Sequence, residues 1–456
     1  MMTTIAPATV LIALGLAACA VSLLMWKRRA RSQEDRTRQR KIDPGFAEEW
    51  APVSFQYPEI AAFEHDVDHF PPRPYRPFKP GTYHVTMGIR NMNWNDWIEL
   101  DSQFLEWHRI RSERITARGS QLIHVLPDRP IVRGAQPAAE ELVQELSEFL
   151  VRRYPSMYSV TRDESVDGWN GAGKVTTVTI LPTKETYDVS VEPMRVAALL
   201  IPDDLAILIK GQDGQYYLQG GAIIVPGTWR LKDKIGMPLD EIHITGEVPY
   251  YKEKLQLSMN RFFSRLPVDK PVVRNNWFFQ AVLPRDVADP HDPEELGWYK
   301  SVMGSEDDFV HVPSSYLLEM EALAKEKTGK QHPAQAYDAE KPQATTTKQQ
   351  KCKAGADNET PSPVLPITVD RIRLRSERQT LRRLPRTGAI VFTVRTYKTP
   401  LEQLAREPGM AARLAAALQG VKEGAPETYS RMLSMKGLEK VLLDYLDARA
   451  TLEGAL

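Results

Sequence analysis

The hydrophobic pattern divides the chain into stretches of different period. Residues 5–26, "IAPATVLIALGLAACAVSLLMW", are apolar and uncharged, long enough at about 1.5 Å per residue to cross a hydrocarbon core of about 30 Å. A proline- and aromatic-rich stretch at 52–80 predicts an extended path over the surface of the body. Apolar residues then recur at helical spacing over 97–115 and over 137–155, the second with early acids, late arginines and a closing proline. Between 174 and 225 the period shortens. "KVTTVTIL", "YDVSV", "LAILIK", "QYYLQ" and "AIIV" read as closely spaced strands with no helix between them, which predicts an antiparallel sheet. Residues 252–266 and 316–327 read as helices. A strand at "GAIVFTVRTY" follows, and then helices from Leu401, Gly409, Pro426 and Lys436 onward.

The pattern predicts an α+β protein with this organisation: a short outer tail at 1–4, an anchor at 5–26 and a basic, then proline-rich, spacer at 27–80. A folded domain occupies 81–325 and 364–450, split by a polar, disordered insertion at 326–363. Basic residues follow the apolar run at "KRRAR" and none precedes it, so a single-pass anchor would leave the body in the cytosol, by default on the endoplasmic reticulum of a eukaryote. A cleaved signal peptide is the competing reading, but the basic n-region it needs is missing.

Charge and cysteine content narrow the chemistry. Lys+Arg and Asp+Glu both number 59, which removes the electrostatic argument for a nucleic-acid partner. Cys19 lies in the apolar run and Cys352 in the polar insertion, which leaves no zinc or iron–sulfur spacing and no thiolate placed for a haem. No glycine fingerprint for a nucleotide is present, so reducing equivalents would come from elsewhere.

Three segments stand out. In "PLDEIHITGEVPYY", His243 is either a hydrogen-bonded core residue or the whole protein contribution to a haem iron, because a porphyrin supplies the other four nitrogens. In "KPVVRNNWFFQAVLP", Asn275, Asn276 and Trp277 read first as a turn with a core aromatic, and second as pocket lining. In "RIRLRSERQTLRRLPRTGAIVFTVRTY", the crowded arginines need anions, either acids of the fold or the carboxylates of a ligand.

These segments resemble the family of the haem-dependent oxidative N-demethylase α subunit. The resemblance runs through Trp229, Lys234, Gly236, Ile242-His243 and Val248-Pro249, then Arg274, Asn276 and Trp277, then Glu377 to Tyr397 almost without a break. It implies a PAS-like antiparallel sheet with helical additions, carrying haem b. It also implies oxidation of a small or secondary-metabolite amine by dioxygen, with electrons from separate NADPH/flavin and iron–sulfur partner proteins. His243 would be the metal ligand, and Lys234, Asn276, Trp277, Arg382 and Arg386 would bind the cofactor. Glu377, Arg378 and Tyr397 would be catalytic, with Arg378 and Arg382 on one face if their turn is helical. "IPDD" at 201–204 and "ITGEVP" after the histidine depart from the family pattern. A haem-binding sensor or carrier is the alternative, although no output domain accompanies it.

Overall fold

The computed structural model describes residues 50–225, 227, 229–282, 366–433 and 437–454. The expected anchor at 5–26, the helix at 316–327 and the insertion at 326–363 lie outside them. No helix among the described residues is long and apolar enough to cross a membrane. That finding corrects the membrane placement expected from the sequence. Even the longest described helix, Gln136–Arg153, carries four glutamates and two arginines.

The protein is α+β. Seven strands form the main antiparallel sheet: β1 (Arg90–Asn91), β2 (Ile123–Val125), β6 (Asp204–Lys210), β7 (Tyr216–Ala222), β8 (Val272–Ala281), β9 (Ile372–Arg383) and β10 (Ile390–Pro400). Their spatial order is β1-β8-β9-β10-β6-β7-β2. A second sheet holds β3 (Tyr158–Asp167), β4 (Gly173–Ile180) and β5 (Glu185–Asp188). One face of the main sheet packs on α1 (Phe104–Arg118), α2 (Gln136–Arg153) and α3 (Pro193–Leu200) through the largest apolar core. The opposite face carries α4 (Leu231–Lys234), α5 (Leu239–Thr245), a π turn (Tyr251–Leu255) and α6 (Gln256–Arg265). At one end of the sheet α7 (Leu401–Leu404), α8 (Met410–Gly424), α9 (Pro426–Met432) and α10 (Leu438–Gly454) close a third cluster.

Several expectations change. The 97–115 helix starts at Phe104, because the Asp101 side chain accepts from Gln103 N in a turn that ends the extended segment before it. The stretch from 174 to 225 contains a helix, α3, which "PMRVAALL" forms with proline in its first turn and an almost wholly buried surface. Asn275, Asn276 and Trp277 lie in the middle of β8 and not in a turn. The arginine run is itself a strand, β9, so Arg378 and Arg382 share a face through the two-residue period of a strand. Its twelve residues are all buried, because strands pair on both its edges. The 52–80 stretch does run extended, and it buries Ile60, Val67 and Phe78 against the body.

The β9–β10 hairpin turn depends on Gly388. Its φ is +69°, and Trp50 packs so closely that any Cβ would sit 2.3 Å from the indole. Glu141 of α2 holds the same turn, accepting from Arg386 N at 2.7 Å and from Thr387 N at 2.8 Å.

Between the main sheet and α1 and α2 lies a buried ionic layer. Arg378 pairs with Glu99 at 3.2 Å, Arg395 with Asp101 at 2.9 Å and Arg111 with Asp204 at 2.9 Å, while Arg382 pairs with Glu145. Asp203 belongs to this layer, but both its carboxylate oxygens are buried without a hydrogen bond. Burial raises its pKa from the ordinary 3.8 to about 6, against the pull of Arg395, Arg378 and Arg111. The folded state therefore holds this proton more tightly than the unfolded chain does. Stability is greatest below the unfolded pKa and declines as pH rises to about 6, by about 3 kcal/mol in all. Asp203→Asn is expected to flatten the dependence of melting temperature on pH between 4 and 7. Parallel slopes for variant and wild type would show that Asp203 does not titrate in this range.

Candidate functional site

The pleat sorts the residues of β8, β9 and β10 onto two faces. Register places Arg274 opposite Gln379, Asn276 opposite Glu377 and Phe278 opposite Arg375. It also sets Gln379 opposite Val394 and Leu381 opposite Phe392. These residues share the face that carries α5. On the central strand β10, Val391, Thr393 and Arg395 on the helix-packed face are buried, whereas Phe392 and Val394 on the α5 face are only half-buried. A central strand of a seven-stranded sheet thus keeps apolar side chains partly uncovered. That marks an open surface over the middle of the sheet.

Polar groups are organised beside that surface. Glu377 Oε1 accepts from Arg375 Nε at 2.7 Å, and its Oε2 accepts from Gln379 Nε2 at 2.8 Å and Asn276 Nδ2 at 3.4 Å. Arg375 in turn donates to Val225 O and to Thr396 Oγ1, each at 3.0 Å. The carboxylate is therefore fixed by three neighbours on two strands.

α5 brings His243 over the same face. Leu239 joins the core formed with Leu381 and Ile390, and Ile242, like Trp229 and Phe392, packs on the cluster of Ala206, Leu218, Ile223 and Leu231. The imidazole is held from two directions. Its Nδ1 lies 2.7 Å from the carbonyl of Leu239, one turn back, and its ring stacks on Tyr251 at 4.7 Å with 11° between planes. Tyr251 is itself fixed, its hydroxyl donating to Asp240 at 2.6 Å. Donation from Nδ1 to a carbonyl selects the tautomer with a lone pair on Nε2. Nε2 has no hydrogen-bond partner among the described residues. Burial lowers the imidazole pKa below its ordinary 6.5, and the charges of Arg274 and Lys234 add to the effect, so the ring is neutral at pH 7. A neutral, oriented imidazole with one free nitrogen is the form that binds a metal.

The residues singled out by sequence fall into two groups. His243, Asn276 and Glu377 share the α5 face. Lys234 lies at the end of α4, where it donates to Thr245 Oγ1 at 2.6 Å and steadies the helix that bears His243. Arg378, Arg382 and Tyr397 occupy the helix-packed face. There Arg378 and Tyr397 contact Glu99, and Arg382 contacts Glu145. Arg386 is 59% exposed and 3.8 Å from Glu141, and Trp277 packs on Phe78 and Phe279. Tyr251 was missed, since stacking across eight residues leaves no periodic trace. A cleft of about 570 Å³ opens beyond Tyr251, against Glu427 and Arg431 of α9. His243 does not line it.

Among the described residues, the fold presents the imidazole of His243 over one face of an antiparallel sheet. The chain belongs to the family described as haem-dependent oxidative N-demethylase, alpha subunit-like, whose model matches residues 88–308 and 334–442.

Proposed function

We propose that this chain is the haem b-binding, dioxygen-using subunit of a system that removes a methyl group from a small amine. His243 would hold the iron, and the PAS-like sheet would be the platform. The single observation that carries this reading is the free Nε2 of an imidazole whose other nitrogen is tied to a backbone carbonyl. The half-covered Phe392 and Val394 on the same face of the sheet suit a flat apolar macrocycle, so the residues fit the group.

Haem, when bound, supplies the oxygen chemistry and the C–H oxidation. The chain's own residues bind and orient. Leu239 O and Tyr251 fix the imidazole, and the sheet and α5 exclude water from one side. Glu377, held by Arg375, Gln379 and Asn276, offers a fixed negative charge to a protonated amine and can hold its proton. Electrons come from separate flavin and iron–sulfur partner proteins.

The reading is tested by turnover of the haem-loaded chain with dimethylamine and larger N-methylamines, supplied with dioxygen and a chemical or protein reductant. Formaldehyde is expected in proportion to oxygen consumed. Oxygen binding with no amine-stimulated uptake would instead favour a sensor or carrier.

A further inference from the structure

The guanidinium groups of β9 on the helix-packed face are matched by acids of the fold: Arg378 by Glu99 and Arg382 by Glu145. On the α5 face Arg375 pairs with Glu377 and Arg383 donates to backbone carbonyls and the Tyr216 hydroxyl, whereas Arg274 has no hydrogen-bond partner among the described residues. Arg274 lies mid-strand in β8, opposite Gln379, and its side chain is half-buried. Its Nε is cut off from solvent and makes no hydrogen bond, and its terminal nitrogens have no hydrogen-bond partner among the described residues. The acid nearest in effect, Glu377, is already engaged by Arg375, Gln379 and Asn276. A half-buried, always-charged side chain whose Nε is shut off from solvent and unpaired favours an anion beside it. The fork geometry of guanidinium favours a carboxylate.

We propose that Arg274 is the residue that binds a ligand carboxylate on the α5 face. The inference rests on the haem reading above. The carboxylate has two possible sources with the same chemistry: a haem propionate, or an acid group carried by the amine. Arg274 and His243 stand over the same face of the sheet, Arg274 from β8 opposite Gln379 and His243 from α5, and the arginine's charge lowers the imidazole's basicity.

The test compares wild type with Arg274→Leu and Arg274→Lys in the full chain. Haemin and haemin dimethyl ester are titrated by Soret absorption, and dimethylamine and sarcosine are titrated into the haem-loaded proteins. If a propionate is the partner, Arg274→Leu weakens haemin binding by about 10- to 100-fold, as for a lost charged hydrogen bond, and leaves the ester unaffected. Arg274→Lys recovers part of the loss. If the amine supplies the carboxylate, haemin binding is unchanged, while the sarcosine response weakens and the dimethylamine response does not. Equal affinities in all four titrations overturn the proposal. So does equal weakening of haemin and ester, which would mark Arg274 as structural. A wild-type chain that takes up no haem removes the haem reading itself, and this inference with it.

Discussion

His243→Ala is expected to abolish the Soret band of the haem-loaded protein, or to weaken haem binding at least about 100-fold, the upper end of what even an outer-shell partner of a metal ligand contributes. The argument is specific to one atom. Nδ1 is taken by Leu239 O, so only Nε2 can bind iron, and nothing else among the described residues competes for it. The fold should tolerate the change. His243 is half-buried on a short helix whose next two residues, Ile244 and Thr245, are exposed. Its contribution to packing is one ring stacked on Tyr251. The melting temperature of the apo variant should therefore stay near that of wild type, and free imidazole should restore part of the band by filling the vacated space. The lowered basicity of His243 adds a pH signature: wild-type haem uptake should persist below the ordinary histidine pKa of 6.5, because the ring stays neutral there. A His243→Ala protein with an unaltered spectrum would move the axial ligand to another residue.

The second large effect is on stability. Arg382→Met is expected to destabilise the fold by about 3–5 kcal/mol, the usual cost of leaving one member of a buried ion pair alone. That corresponds to a fall in melting temperature of roughly 10 °C for a body of this size. Arg382 and Glu145 are both buried, and the guanidinium lies 4.4 Å from the centre of the Trp97 ring and 4.7 Å from that of Trp94. Burial already raises the pKa of the Glu145 carboxyl, in spite of Arg382. Without the arginine it would take up a proton, which holds the loss to the lower half of that range. Arg382→Met combined with Glu145→Leu should recover much of the loss, because no buried charge is then left unpaired. Denaturation in urea measures both. A loss under about 1 kcal/mol for the single variant would mean that the pair is solvated.

These two variants separate the two faces of one sheet, and that separation was hidden in the sequence. The run "ERQTLRR" reads as a cluster of cations. Only the strand period, together with the partners brought by the segment before α1 and by α2, sends Arg378 and Arg382 to Glu99 and Glu145 while turning Glu377 and Gln379 the other way. The anions lie more than 200 residues away along the chain, and no local pattern announces them. The same applies to "RNNWFF", whose asparagines suggested a turn. Pairing of β8 with β9 overrides that propensity, because backbone groups in the centre of a sheet must be matched.

The sequence by itself determined the α+β class, most of the strands between 174 and 225, the helices after Leu401 and the family. Those features are carried by local periodicity and by long motifs, which need no knowledge of distant contacts. Tertiary structure alone decided which charges are paired inside the fold and which are not. It set the tautomer of His243, through a carbonyl one turn back and a tyrosine held by Asp240. It also left Arg274 without an acid. Burial and pairing are properties of the assembled sheet, and a sheet is built from segments that are remote in the chain.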